Sequence, residues 1–309
     1  MKKVFLDGSA GTTGLRIRQR LEKRCNIELI SLPEDLRKDE SARKYAINEA
    51  DFVFLCLPDS AAIDAANLCE NDSTVIIDAS TAHRTADGWT YGFPELMGQR
   101  EKIVSSKRIA NPGCHASGFI ALIRPLTDSG IIKDSVLLSC FSVTGYSGGG
   151  KKMIAQYEEM ADNLLKAPRQ YGLSQNHKHL PEMAKMCGLL NPPIFSPIVA
   201  PFYSGMEVCV PLYTKELGAS KRDIEEIYKN YFNNGTVYFE ENADEDGFLS
   251  ASALSGRDDM EISVHGNDDR LLLTARFDNL GKGASGAAIQ NMNLVMGADE
   301  TTGLNVKRR

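Results

Sequence analysis

The sequence predicts an α/β fold: a doubly wound parallel sheet, joined to a second α+β domain with a mostly antiparallel sheet. Three observations carry that expectation. The chain opens on a short apolar strand that runs straight into a glycine-rich turn and then a helical stretch. Further short apolar runs alternate with helical stretches and end in charged or turn residues, as parallel strands covered on both faces do. From about residue 134 the strands lengthen and the pattern changes, which suits an α+β unit.

Val4-Phe5-Leu6 reads as the first strand, and Leu15 to Arg24 as the first helix. Between them lies Gly8-Ser9-Ala10-Gly11-Thr12-Thr13-Gly14, spaced GxxGxxG. Glycine permits tight turning and close backbone approach, and strand, turn and helix in this order lay a pyrophosphate on a helix N-terminus. These seven residues are therefore expected to bind a dinucleotide in a Rossmann-like domain. The alternative is an ordinary glycine-rich turn. The second strand, Ile27 to Ser31, should end near the adenosine ribose. An NAD site usually places an acid about 20 residues beyond the glycines, where Glu34 and Asp35 fall. Leu32-Pro33 intervenes, however, and Arg37-Lys38 follows within reach of a 2′-phosphate. The expected cofactor is NADP, with a solvated loop as the alternative for Arg37 and Lys38.

Phe52–Leu57 and Val75–Ile77 read as further strands around a helix from Ser60 to Cys69. Ligands of such sheets bind beyond the carboxyl ends of the strands. Leu57-Pro58-Asp59, Asp78-Ala79-Ser80 and Asn111-Pro112-Gly113-Cys114 all fall at such ends. Pro112 and Gly113 impose a turn, and Ala116 to Leu122 has helical character. That sets Cys114 at or beside a helix N-terminus, where backbone N–H groups favour a thiolate. Cys114 is expected to be a nucleophile in the same crevice as the nucleotide. The plainer alternative is a small apolar residue filling a turn.

In the second half, strands are expected at Val136–Val143, Glu207–Leu212, Val237–Phe239, Glu261–Val264 and Leu271–Phe277. Ser220 to Phe232 reads as a helix capped by Ser220, with Ile224, Ile227, Tyr228 and Tyr231 on one face. A last helix begins at Ala284. The expected division is a dinucleotide-binding domain over 1–115, rejoined by a C-terminal helix over 284–309, and a catalytic and oligomerisation domain over 116–283. No internal repeat or low-complexity linker interrupts it. A reactive thiol needs a proton-transfer partner near neutral pH, usually histidine. His177 and His179 stand together before Leu180-Pro181-Glu182. Residues two apart diverge on a strand or a helix, so one of the pair is expected at the thiol. His179 is favoured because Pro181 restricts the backbone before it. Glu182 would orient an imidazole or bind substrate, while His115, His83 and His265 are the other candidates. Spacing of two suits a metal poorly, and no cysteine or carboxylate cluster completes a zinc site. No metal is expected.

The net charge of −6 argues against nucleic acid as a partner. No run of about 18 apolar residues suggests a membrane span, and the apolar start is too short for a signal peptide. Seven scattered cysteines without a CxxC pair point to a reducing cytoplasm.

Eight stretches in register, DGSAGTTG, CLPD, DASTAHR, YGFPEL, NPGCHASGFIAL, TGYSGGGKKM, HKHLPEM and NLGKGASGAAIQNMN, resemble the shorter type of the N-acetyl-γ-glutamyl-phosphate reductase family. That family is similar in architecture to the aspartate-semialdehyde and glyceraldehyde-phosphate dehydrogenases. The resemblance implies NADPH-dependent reduction of N-acetyl-γ-glutamyl phosphate to N-acetylglutamate 5-semialdehyde in arginine biosynthesis. It implies a thioester on Cys114, a helper histidine from His177 or His179, and a homo-oligomer, dimer or tetramer. It also implies that the segment from Asn279 to Asn293 returns to the nicotinamide, which puts Asn279 among the cofactor residues. Arg84, with Asn111, is the candidate for the substrate phosphate, since a guanidinium matches phosphate with two donors. An ion pair to a carboxylate is the alternative for Arg84, and Lys151 and Lys152 are weaker candidates. Many members carry Cys-Tyr-Pro-Thr where this chain has Cys114-His115-Ala116-Ser117, so a different local loop shape is expected. The rival readings are another acyl-phosphate reductase, such as an aspartate-semialdehyde dehydrogenase, and a nucleotide-binding regulator without turnover.

Overall fold

In the computed structural model, which describes residues 1–160 and 162–307, the chain forms two units. The first comprises Met1–Pro94, Gly98–Pro112 and Ala284–Leu304; the second is mainly Gly113–Gly283. In the first unit the strands are β1 (Lys2–Asp7), β2 (Ile27–Ile30), β3 (Phe52–Leu55), β4 (Val75–Asp78), β5 (Thr90–Tyr91) and β6 (Arg108–Ala110). Its helices in this stretch are α1 (Thr12–Leu21), α2 (Glu40–Glu49), α3 (Asp59–Asn67) and α4 (Gln99–Ser105). The strands make one sheet in the order β2-β1-β3-β4-β6-β5, and every pairing is parallel.

The apolar runs explain the layering. Every side chain of β3 is buried, because alternate residues face two separate cores. Phe52 and Phe54 pack with Ile17 and Leu21 of α1 and Ile103 of α4. Val53 and Leu55 pack with Ala46 and Ile47 of α2 and Ala62 and Ala65 of α3. The strand order switches from one side of β1 to the other between β2 and β3, and such a switch point is where these sheets bind ligands.

The second unit contains α5 (Cys114–Asp128), β7 (Ser139–Gly145), α6 (Gly150–Glu159), β8 (Arg169–Gln170), α7 (Leu180–Cys187), β9 (Ile194–Ala200) and β10 (Met206–Tyr213). It continues through α8 (Thr214–Leu217), α9 (Lys221–Tyr231), β11 (Val237–Phe239), β12 (Met260–Gly266) and β13 (Arg270–Phe277). Its sheet runs β11-β12-β13-β10-β7-β9-β8. Four of the pairings are antiparallel and two are parallel, β7 with β9 and β11 with β12. The expected mostly antiparallel sheet is therefore present.

Helix α5 is the centre of this unit. Phe119, Ile120, Leu122, Ile123 and Leu126 have no exposed surface, and burial of each contributes roughly 1.5–3 kcal/mol. Gly118 lets the helix press on the sheet, since a Cβ there would sit 2.5 Å from Val208 Cγ2 and 2.9 Å from a ring carbon of Phe277. Helix α9 begins as the sequence predicts: Ser220 and Asp223 form a reciprocal capping box.

Several boundaries differ from the sequence reading. Helix α1 starts three residues earlier than expected, so the end of the glycine turn is already its first turn. The first long strand of the second unit begins at Ser139 rather than Val136. Strand β9 escaped notice because Pro197 interrupts its apolar run, and proline argues against an interior strand. The expected helix over 284–309 is only α10 (Gly286–Val295). A π turn, Gly281–Ser285, precedes it, and turns follow it. The last two residues of that expectation lie outside the described residues. Helix α10 packs Ile289 and Met292 into the first unit's core beside Val4 and Phe52.

Candidate active site

In the first unit the glycine turn is built for close backbone approach. Gly8 has φ +84°, and a Cβ there would lie 2.3 Å from the carbonyl oxygen of Cys56, just beyond β3. A Cβ on Gly14 would lie 2.6 Å from Gly8 O. Gly11 caps α1 without a side-chain partner, which leaves the first N–H groups of the helix available to an anion. Thr12 Oγ1 is buried with no hydrogen-bond partner among the described residues. A cavity of about 310 Å³ opens here, lined by Gly8, Ser9, Ala10, Arg18, Ser31 and Arg37. A cradle closed to a Cβ, an orphaned hydroxyl and an uncapped helix together fit a dinucleotide phosphate.

Arg37 lines that cavity and Lys38 does not. Glu34 and Asp35 lie in an exposed turn and are likewise absent from the lining. Among the described residues Asp7 is the one carboxylate of that lining, and both Nε and Nη2 of Arg43 donate to it, at 3.0 and 2.9 Å. Burial raises the Asp7 pKa against the opposing pull of Arg43.

The DASTAHR stretch is an internal brace of the same unit. Asp78 accepts from Ser80 N at 2.9 Å and Ser80 Oγ at 2.6 Å, and lies 2.6 Å from His83 Nδ1. His83 also stacks on Trp89, with ring centroids 3.8 Å apart. Arg84 donates through Nε to Asn111 O at 3.0 Å and through Nη2 to Ala79 O at 3.2 Å. Both of these bonds run to backbone carbonyls. Asn111 Nδ2 in turn donates to Ala284 O at 3.0 Å. Lys151 and Lys152 are exposed in the first turn of α6.

In the second unit Gly113 is the N-cap and Cys114 the first residue of α5, as Pro112-Gly113 predicts. Gly113 N donates to Glu182 Oε1 at 2.8 Å, so a buried carboxylate from α7 holds the cap. The π turn closes on the thiol residue from another side: a Cβ on Gly283 would lie 3.0 Å from Cys114 Cβ. His115 follows, buried, with Nδ1 2.6 Å from Ser142 Oγ and Nε2 2.7 Å from the Tyr171 hydroxyl. Burial first, and then the neighbouring His177, push its pKa down to about 3. Burial first, and then the neighbouring Cys114, push the Tyr171 phenol above its ordinary range.

The two histidines of the HKH stretch do not diverge. Their ring centroids are 4.8 Å apart, and each is 5.7 Å from the His115 ring. The expectation that one turns away assumed a strand or helix. Residues 177–179 instead form a turn, held by His179 N donating to His177 Nδ1 at 3.2 Å. His179 is the N-cap of α7. Asn279 Oδ1 accepts from Gly205 N at 2.9 Å and its Nδ2 donates to Ser147 Oγ at 3.0 Å, both within the second unit.

The sequence reading missed Tyr171 and Ser142 altogether. It also missed the buried pair of Lys282 Nζ with Glu95, at 2.8 Å to both oxygens. Among the described residues no group of histidine, cysteine and carboxylate side chains could hold a metal ion, and no helix is long and apolar enough to cross a membrane.

The chain is similar to known proteins over nearly its whole length. Residues 114–279 match the semialdehyde dehydrogenase dimerisation domain, and residues 32–106 match the semialdehyde dehydrogenase NAD binding domain. N-acetyl-gamma-glutamyl-phosphate reductase 2 of Nostoc sp. is 43% identical over 98% of this chain and 99% of its own. The N-acetyl-gamma-glutamyl-phosphate reductase of Sinorhizobium medicae is 45% identical over 96% and 99%. Among solved structures, aspartate semialdehyde dehydrogenase II from Vibrio cholerae superposes with a TM-score of 0.69 at 14% identity, over 96% of this chain and 98% of that one. The Candida albicans aspartate semialdehyde dehydrogenase, solved with NADP, gives a TM-score of 0.64 at 15% identity, over 96% and 98%. Likeness at that identity shows the fold. Near-full-length similarity above 40% goes further: this chain belongs to the N-acetyl-gamma-glutamyl-phosphate reductase family, among the semialdehyde dehydrogenases.

Proposed function

We propose that the protein reduces N-acetyl-γ-glutamyl phosphate to N-acetylglutamate 5-semialdehyde with NADPH, through a thioester on Cys114, in arginine biosynthesis. The observation that carries this reading is a thiol on the first residue of a buried helix, next to a cluster of three imidazoles. The Cys114 thiolate, favoured by the N-terminus of α5, attacks the acyl carbon. The resulting tetrahedral intermediate expels phosphate and leaves a thioester. When bound, the reduced nicotinamide supplies the hydride that converts the thioester to a thiohemiacetal. An imidazolium of the His177–His179 pair, with His179 favoured, gives the thiohemiacetal oxygen its proton as the hydride arrives and takes it back as the carbon–sulfur bond breaks. The aldehyde leaves and the Cys114 thiolate is restored.

The first unit is assigned to the nucleotide, held by the turn Gly8, Ser9, Ala10, Gly11, Thr12, Thr13 and Gly14. NADP rather than NAD is supported by Arg37 in the cavity wall and by the absence of a free carboxylate there. The second unit is assigned to catalysis and self-association. The outer face of its sheet carries Phe141, Ile194 and Leu272, all exposed, and the match to a dimerisation domain supports a homo-oligomer. Arg84 braces the Asn111 turn, and with Asn111 it is assigned to the substrate phosphate, which a guanidinium matches with two donors. Seven free thiols suit a reducing cytoplasm.

The decisive experiment is the reaction run in reverse, with N-acetylglutamate semialdehyde, phosphate and NADP, followed as NADPH absorbance. Turnover dependent on all three substrates is the expected result. Turnover with aspartate semialdehyde instead, or none at all, would overturn the assignment.

A further inference from the structure

The residue that sets this chain apart from the Cys-Tyr-Pro-Thr pattern, His115, sits in the middle of a hydrogen-bond chain whose direction the surroundings dictate. Ser142 has no exposed surface, and among the described residues its hydroxyl meets only His115 Nδ1. A buried hydroxyl proton left without an acceptor costs about 1–3 kcal/mol. Ser142 therefore donates to Nδ1. His115 is neutral at physiological pH, because burial disfavours the imidazolium. A neutral imidazole carries one proton, which must then be on Nε2, donating to the Tyr171 oxygen. The Tyr171 hydroxyl proton is left pointing away from His115, and no other described residue accepts it.

We propose that Tyr171 donates this hydrogen bond to the acyl oxygen of substrate bound at Cys114, with His115 and Ser142 as the residues that position and polarise it. The inference rests on Cys114 as the nucleophile. Three placements support it. Tyr171 bonds the residue next to Cys114 along α5. Its ring lies 5.9 Å from that of His177. Its phenol feels the charge of Cys114, and its backbone is held at the end of β8 by Tyr171 N donating to Pro197 O at 3.0 Å. A donor aimed at the acyl oxygen strengthens as that oxygen gains negative charge, which is the condition for lowering the barrier.

The test compares Tyr171→Phe, His115→Gln, His115→Leu and Ser142→Ala in the NADP-linked assay, with thermal midpoint and Cys114 alkylation rate as folding and thiol controls. Tyr171→Phe is expected to lower kcat by about 10²-fold with little change in KM. His115→Gln keeps an N–H for Tyr171 and should recover most of the activity that His115→Leu loses. The double variant Tyr171→Phe/His115→Leu should be no slower than Tyr171→Phe alone, since both act through one hydrogen bond. Nitrogen NMR of histidine-labelled wild-type enzyme should show His115 as the Nε2–H tautomer from pH 6 to 8, and Ser142→Ala should weaken that preference. Wild-type kcat in Tyr171→Phe, or an Nδ1–H tautomer at His115, overturns the proposal. An inactive wild type with the Nε2–H tautomer would instead overturn the assigned reaction and leave the hydrogen-bond chain standing.

Discussion

Lys282→Met is expected to be among the most destabilising single changes in the second unit. Lys282 and Glu95 are fully buried, with side-chain exposures of 2% and 0%. The ammonium sits 2.8 Å from both carboxylate oxygens. Glu95 Oε1 also accepts from Thr236 N at 3.1 Å and Thr236 Oγ1 at 2.9 Å. Methionine keeps the length of the stem but leaves the carboxylate without its cation. Breaking a buried pair from one side costs about 3–5 kcal/mol, because the remaining charge is uncompensated. The two Thr236 donors survive the change and hold the loss near about 3 kcal/mol, the lower end of that range. With a urea slope of about 3 kcal/mol/M, that shifts the midpoint by about 1 M. The measurement is urea unfolding followed by far-UV circular dichroism at one fixed protein concentration. The double variant Glu95→Gln/Lys282→Met removes both charges and should be more stable than Lys282→Met alone. A loss under about 1 kcal/mol in the single variant would refute an uncompensated buried charge, and so would a double variant less stable than the single. The consequence reaches the site, because Lys282 lies in the π turn whose Gly283 packs on Cys114. Alkylation of Cys114 should therefore quicken in Lys282→Met.

Cys114→Ser is expected to lose several orders of magnitude in turnover while still binding NADPH, since serine offers no thiolate at neutral pH; near-normal turnover would remove Cys114 from its role. NADPH should exceed NADH in kcat/KM, and Arg37→Ala should narrow the ratio; a clear NADH preference would point to Glu34 or Asp35 at the ribose. Gly8→Ala should weaken NADPH binding by at least about 10-fold, because a side chain there meets the Cys56 carbonyl and the positive φ strains any L residue; titration of NADPH fluorescence reads this directly. Of His177→Ala and His179→Ala, one should lose about 10²–10⁴ in kcat together with one limb of its pH profile, and unchanged profiles in both would dismiss the pair.

What the sequence disclosed was local geometry. Gly8, Gly11 and Gly14 are spaced along one turn, and Pro112-Gly113 sits directly before the thiol, so short-range sterics were enough to place both features. The same holds for Ser220 and Asp223, three residues apart in a capping box. Parallel strands with every side chain buried, such as β3, announce themselves by composition. Short strands such as β5 and β6 carry too few residues for any period to show. Resemblance carried residue types further than local sterics could. Asn279, expected at the nucleotide on that ground, also ties Gly205 to Ser147 through its amide, partners that no local pattern announces.

The cluster around the thiol shows why the remainder was hidden. Ser142 and Tyr171 lie 27 and 56 residues from His115 along the chain. They meet it because β7 and the end of β8 belong to the sheet on which α5 packs, and no local pattern encodes that meeting. The HKH stretch misled for a related reason. Alternation on a strand and rotation on a helix both separate residues two apart, but a turn obeys neither period. Here the bond from His179 N to His177 Nδ1 folds the segment back on itself, and the rings of Phe195 and His115 receive His177 at 5.0 and 5.7 Å. Two imidazoles with ring centroids 4.8 Å apart offer two proton sites within one cluster. Geometry alone does not separate their roles, which is why both alanine variants, and not one alone, are needed to read them.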